Sequence, residues 1–184
     1  MKPILFNTEM VKAILGGRKT QTRRLRGLGV VNCVTALWKI ENLEGNEYKL
    51  SYAKEIITVN CPYGKIGDQL WVRETFAEKD DYSIYYKANY KDVYMDVRWK
   101  PSIHMPKKYA RIFLEITNIN IERVQDITQK DALAEGMWNS LASTPALTLI
   151  DLFRGVWDPI NKKRGFGWDE NPLIWVIEFK RSES

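Results

Sequence analysis

The sequence predicts an α+β fold: a few short helices beside one curved sheet or small β-barrel. Three observations predict it. Residues 110–124 carry the strongest strand signal, with Ile112, Leu114 and Ile116 alternating against Phe113, Glu115 and Thr117 before Ile119 and Ile121 repeat the period. Thr128-Gln129-Lys130-Asp131 has the form of a capping box and opens a short helix that ends at Gly136. The remaining segments mix strands with a few short helices, without internal repeat, low-complexity tract or linker.

Taken in order, residues 3–6 are a short first strand. Thr8 caps the next helix, and Glu9 in its first turn complements the helix dipole. Met10, Val11, Ile14 and Leu15 recur at helical spacing until Gly16-Gly17 stops them. A cationic run follows, and the chain turns around residues 26–29. Residues 30–38 are a strand or an irregular excursion. Gly45-Asn46 marks a turn before two strands, 47–52 and 55–59, and Cys61-Pro62-Tyr63-Gly64 is loop. Gly67-Asp68 turns into a strand over 69–75. Residues 80–95 are tyrosine-rich and turn-rich, an insertion with strand fragments, and two prolines make 99–106 largely loop. Thr144-Pro145 starts a further helix with Leu149, Ile150 and Phe153 on its apolar face, and 173–179 is a closing strand.

At 184 residues the chain suits one domain. A chain of this size buries roughly 70% of its unfolded surface. Hydrophobic residues at 45% and charged residues at 28% are ordinary for a soluble protein, and the net charge of +5 tilts toward a polyanionic partner such as nucleic acid. Of seven Trp and nine Tyr some belong to the core, and a surplus exposed in a groove would stack on bases. Cys33 and Cys61 lack metal-ligand spacing and His104 is the single histidine, which argues against zinc and for free thiols in a reducing cytoplasm. The N-terminal residues do not read as a signal peptide, and nothing approaches the roughly 20 apolar residues of a membrane span.

The stretch Gly16-Gly17-Arg18-Lys19-Thr20-Gln21-Thr22-Arg23-Arg24 sets two threonine hydroxyls among four cations, with Arg26 just beyond. A core has no use for that composition. Arg18, Lys19, Arg23, Arg24 and Arg26 can neutralise several phosphates. Lys19 has a sharper use. Neighbouring cations and burial both disfavour its charged form, and a neutral lysine beside a threonine hydroxyl is a base–nucleophile pair. The alternative is a solvated cationic edge strand. A regular strand would send Lys19 and Thr22 to opposite faces, so they converge only across a turn or bulge.

Glu135 stands before Gly136 at the end of the short helix, where a carboxylate opposes the helix dipole and suits proton transfer; the alternative is an exposed glutamate at a fraying end. Trp71, Arg73 and Glu74, on one predicted strand, either face a cavity or form surface contacts. Residues 99–106 are a pocket lid, with Trp99 stacking on a base, or a packed loop. His104 reads as a hydrogen-bonded loop residue, and Asp80, Asp81 and Asp92 as solvated turn residues. Gly165-Phe166-Gly167 is too short for a phosphate loop. Neither a metal nor a cofactor is expected.

Together these segments resemble the ASCH family of the PUA-like superfamily. The resemblance lies in the N-terminal helix followed by Gly17-Arg18-Lys19-Thr20-Gln21-Thr22-Arg23, in Gly67-Asp68-Gln69-Leu70-Trp71-Val72, in the helix from Asp126-Ile127-Thr128 to Glu135-Gly136, and in Trp175-Val176-Ile177-Glu178-Phe179. Cys61-Pro62-Tyr63-Gly64 and Trp99-Lys100-Pro101-Ser102-Ile103-His104-Met105 are similar to the phage- and prophage-encoded branch. The resemblance implies a single domain over 1–184, a small mixed or antiparallel β-barrel with flanking short helices, with 27–60, 77–108 and 138–170 as insertions. It implies a cleft for RNA or a modified nucleobase, and a bacterial host cytoplasm for a phage protein. One member type hydrolyses the amide of N4-acetylcytidine with a lysine, a threonine and a glutamate, and those roles fall on Lys19, Thr22 and Glu135. Arg18, Thr20, Arg23, Arg24, Trp71, Arg73, Glu74 and Trp99 are then candidates for binding substrate or nucleic acid.

Three readings stay open on the sequence. The first is an amidohydrolase of an acylated cytosine. The second is a non-catalytic RNA-binding module whose cations hold phosphates, with DNA as a further partner. The third is a ribonuclease. A water-excluding pocket around Lys19, Thr22 and Glu135 favours the first, and an open basic groove favours a polymer. A monomer is the default.

Overall fold

Strand β10 (Leu173–Arg181) is the axis of the fold, because both of its faces are covered. Leu173, Trp175, Ile177 and Phe179 belong to one hydrophobic core, and Ile174 and Val176 to a second on the opposite face. Burial on both faces explains why Leu173-Ile174-Trp175-Val176-Ile177 is continuously apolar instead of alternating. The computed structural model describes residues 1–29, 31, 39–79, 83–90, 97–138 and 147–182.

Five strands make the main sheet, in the order β1-β6-β9-β10-β2. They are β1 (Lys2–Leu5), β6 (Gln69–Arg73), β9 (Phe113–Arg123), β10 and β2 (Gln21–Arg24). β1 runs parallel to β6, and the other three pairings are antiparallel. Between β9 and β10 the register steps from Asn118 opposite Glu178 to Ile116 opposite Phe179, leaving Thr117 as the extra residue of a β-bulge. The bulge turns Leu114, Ile116, Ile119 and Ile121 all toward the first core. The three-residue step from Ile116 to Ile119, inside a period-two pattern, is its trace in the sequence.

β1 and β2 are the two edges of this sheet, yet the Arg24 Nη2 on β2 donates to the Leu5 carbonyl on β1 at 2.8 Å. The sheet therefore curls until its edges lie one side chain apart. Among the described residues no backbone ladder joins them, so the expected barrel is here a curled open sheet. A second sheet, β3 (Lys39–Asn42), β4 (Glu47–Tyr52) and β5 (Glu55–Asn60), packs on the first core through Tyr48 and Leu50. The Tyr48 hydroxyl donates to the Ile119 carbonyl at 2.8 Å, and its ring meets Trp175 edge-on. β7 (Phe76–Glu78) and β8 (Ile84–Tyr86) form a small hairpin.

Among the described residues three α-helices flank the main sheet: α1 (Thr8–Leu15), α2 (Gln129–Ala134) and α3 (Leu149–Asn161). Asn7, not Thr8, caps α1. Its side-chain oxygen accepts from the Met10 amide at 2.8 Å, while Thr8 is already inside the helix. α2 has the expected capping box of Thr128 and Asp131, and Thr148 with Asp151 repeats the device on α3. Residue 30, residues 32–38, Asp80, Asp81, Asp92 and Thr144-Pro145 lie outside the described residues. Among those described, no helix is long and apolar enough to cross a membrane.

Candidate functional site

Edge strand β2 builds the site by alternation. Thr22 and Arg24 pair with Ile177 and Trp175, so they share the face of the first core, and the Arg24 guanidinium lies over the Phe6 ring at 5.0 Å. Arg23 pairs with Val176 on the other face, and its guanidinium lies over Phe153 of α3 at 5.8 Å. An edge strand is usually solvated, but here Gln21, Thr22 and Arg23 are buried.

Lys19 lies ahead of the ladder, in an isolated bridge with Glu135, so the strand's alternation does not govern it. Its ammonium is fully enclosed and 5.5 Å from the Phe6 ring, on the side where Arg24 also lies. All three of its N–H bonds are used: to Glu135 Oε2 at 2.6 Å, to the Glu135 carbonyl at 2.8 Å and to the Gln21 carbonyl at 2.8 Å. Lys19 and Glu135 are 116 residues apart in sequence. The other carboxylate oxygen of Glu135 meets Arg23 Nη1 at 3.4 Å, so one carboxylate joins two buried cations. Glu135 reaches this point because it is the C-terminal cap of α2, and Gly136 follows with φ +88°. A Cβ on Gly136 would lie 2.9 Å from Ala13 Cβ and 3.2 Å from Lys19 Cβ, so glycine permits the close approach.

Burial is the largest influence on Lys19 and lowers its pKa below 10.5. The Glu135 carboxylate opposes that shift, and the charges of Arg24 and Arg23 add to it. The pair thus holds an ammonium that is satisfied by hydrogen bonds but costly to keep charged.

A cleft of about 210 Å³ opens beside the pair. Thr22, Arg23, Arg24, Arg26 and Glu135 line one side; Phe153, Val156, Trp157, Ile160 and Asn161 of α3 line another, with Arg164 in the turn that follows the helix. Two depressions adjoin it. One contains Arg18 and shares Met10, Glu135 and Val156 with the cleft; the other shares Met10, Arg24 and Ile160. Among the described residues the Thr22 hydroxyl takes no hydrogen bond from Lys19, whose three bonds go elsewhere.

The structure thus gathers Lys19, Thr22, Arg23, Arg24 and Glu135, with Arg18 next door. Thr20 is exposed. Trp71 is buried under the Arg73 guanidinium, which donates to the Met105 and Ile103 carbonyls and so holds the 101–105 loop. Glu74 is buried in a two-pronged pair with Arg111 at 2.8 and 2.9 Å, and Trp99 leans on Tyr90. Trp71, Arg73, Glu74 and Trp99 line none of the three depressions. The α3 wall and Gln21, whose side-chain oxygen accepts from Arg23 at 2.5 Å, were not singled out from sequence. The helical spacing of Phe153, Trp157, Ile160 and Asn161 was the available signal. Among the described residues no group of three or more His, Cys, Asp and Glu is placed to hold a metal ion.

No protein-family model matches the chain, and no curated protein matches it. Among solved structures, the crystal structure of protein EF3133 from Enterococcus faecalis V583, described as a DUF984 protein, aligns over 98% of this chain and 80% of its own. The identity is 11% and the TM-score 0.46.

Proposed function

We propose that the chain is an ASCH-type, PUA-like protein that holds a modified nucleobase in the β2–α3 cleft and hydrolyses the amide of an N4-acylated cytosine nucleoside. One observation carries the reading: Lys19 and Glu135 are enclosed as a hydrogen-bonded pair at 2.6 Å, and Thr22 and Glu135 both line the adjoining cleft. A buried lysine whose pKa is lowered from 10.5 is suited to serve as a base.

The steps follow from these groups. Lys19 enters the cycle neutral, having released one proton to solvent, and the N–H it gives up is the one on the neutral Gln21 carbonyl, because its bond to the Glu135 carboxylate is stronger. The freed lone pair takes the Thr22 hydroxyl proton as the hydroxyl oxygen attacks the acyl carbon. A C–O bond forms, and the C–N bond breaks as Lys19 returns the proton to the leaving N4 amine. Water repeats the sequence: Lys19 takes its proton, the acid leaves, and Thr22 recovers its hydroxyl. Arg23, which lines the cleft with Nε and Nη2 free of hydrogen-bond partners, stabilises the oxyanion. In this account Glu135 positions Lys19.

Incubation with N4-acetylcytidine, followed by chromatography, tests the reading. Wild type releases cytidine. Thr22→Val removes the nucleophile without leaving a buried charge and abolishes release, while its thermal melt stays cooperative. Undiminished turnover by Thr22→Val would overturn the mechanism. A second reading, RNA binding without chemistry, is favoured by the three adjoining depressions that carry Arg18, Arg24, Arg26 and Arg164. It predicts RNA affinity that falls steeply with salt and no cytidine.

A further inference from the structure

The cations of the cleft are not used up by the protein. Glu135 is the single carboxylate among its lining residues, and it is engaged by Lys19 and Arg23. Arg23 reaches two further carboxylates, Glu122 at 3.6 Å and Asp131 at 3.7 Å, both beyond hydrogen-bond length. Arg24 is bound to a carbonyl and a ring, and Arg164 to the Asn161 side chain at 3.5 Å. Among the described residues, no carboxylate forms an ion pair with Arg24, Arg26 or Arg164. Arg23, itself 4% exposed, keeps Nε and Nη2 without a hydrogen-bond partner, as does Arg24 at Nε. Unpaired buried donors are rare and call for an acceptor. Tyr63 lies among them: burial raises its pKa, and the charges of Arg24 and Arg26 pull it down.

We propose that Arg24, Arg26 and Arg164 form a phosphate subsite in this cleft, so that the ligand is a phosphorylated nucleotide rather than a bare nucleoside. The substrate class rests on the reading of the cleft as a nucleobase site; the anion subsite stands on the arginines alone. Three guanidiniums around one cleft match the several acceptor oxygens of a phosphate better than a neutral sugar does. Asn161 is buried, donates to the Trp157 carbonyl and accepts from Arg164, so it holds that arginine toward the cleft. The phosphate is carried by a mononucleotide or by a nucleic-acid chain.

Isothermal calorimetry at fixed salt separates the cases, with cytidine, cytidine 5′-monophosphate, inorganic phosphate and a short single-stranded oligoribonucleotide as probes. The monophosphate binds about tenfold tighter than cytidine or better, the order of a charge-assisted contact. Arg26→Gln and Arg164→Gln alter exposed side chains and bring the monophosphate down to the affinity of cytidine. Equal affinities for cytidine and its monophosphate in wild type would overturn the subsite and leave the nucleobase reading standing. Phosphate and monophosphate binding equally, with both variants losing them and cytidine silent, would keep the subsite and sink the nucleobase. Binding by none of the probes would overturn both. An oligonucleotide tighter than the monophosphate, with a steeper loss in salt, assigns the phosphate to a chain; parity assigns it to a mononucleotide.

Discussion

Lys19 and Glu135 form an ion pair with almost no water contact, and such pairs are expensive to break from one side. Lys19→Met leaves the Glu135 carboxylate with Arg23 as its nearest cation at 3.4 Å. The expected loss is about 3 kcal/mol or more, read from urea unfolding. A loss below about 0.5 kcal/mol, the range of an exposed pair, would mean that the pair is solvated. Thr22→Val should cost at most about 1–2 kcal/mol, since it removes a hydroxyl with no charge behind it. The pH dependence follows from the same contacts. Burial lowers the Lys19 pKa below 10.5 and Glu135 opposes it, so turnover should rise with pH to a midpoint below 10.5. Glu135→Gln removes the group that favours the ammonium, and the midpoint should move lower still. A midpoint that Glu135→Gln leaves in place would detach Lys19 from the rate.

At the scale of elements, the end of α2 is what brings the carboxylate to the lysine. Gly136→Ala forces a side chain into the left-handed region at φ +88° and to 2.9 Å from Ala13 Cβ. It should cost at least about 1–2 kcal/mol and reduce turnover with it. The Thr128 cap supports the same helix, and Thr128→Ala should cost about 1 kcal/mol in urea unfolding. Burial by itself would raise the Asp131 pKa, but hydrogen bonds from Thr128 and the Arg23 charge outweigh it and hold it below 3.8. A depressed carboxylate adds stability above its unfolded value and loses it as pH falls through the folded one. The gap between wild type and Thr128→Ala should therefore narrow below pH 3.8. These local devices were legible because each is a contiguous pattern: the capping box, the Gly16-Gly17 stop, and the two strands around 47–60. The cap of α1 was misplaced by one residue because Asn7 and Thr8 are both competent caps.

The whole molecule decides what the segments could not. Lys19, Thr22 and Glu135 were legible as candidates from composition, helix-end position and resemblance, but their burial is a property of the assembled sheet. A solvated cationic edge strand was the alternative for this stretch; β2 is an edge, yet Gln21, Thr22 and Arg23 are buried on it. The α3 stripe from Phe153 to Asn161 gave no sign that it faced a cleft, because an apolar helix face reads the same against a core or a ligand. Trp71 and Arg73 have the composition of a binding strand and the contacts of a strut. Two cores on opposite faces of β10 hold these parts in place, and the β9 bulge keeps the first of them continuous.

The fate of the acyl group decides whether Thr22 is the nucleophile. Wild type is mixed with excess N4-acetylcytidine, quenched in acid over a range of times, digested and read by mass spectrometry. An acetyl group is expected on the peptide that contains Thr22, appearing with the first cytidine and absent from Thr22→Val. Cytidine that accumulates while Thr22 stays unmodified at every time, or an acetyl group carried by another residue, would contradict Thr22 as the nucleophile.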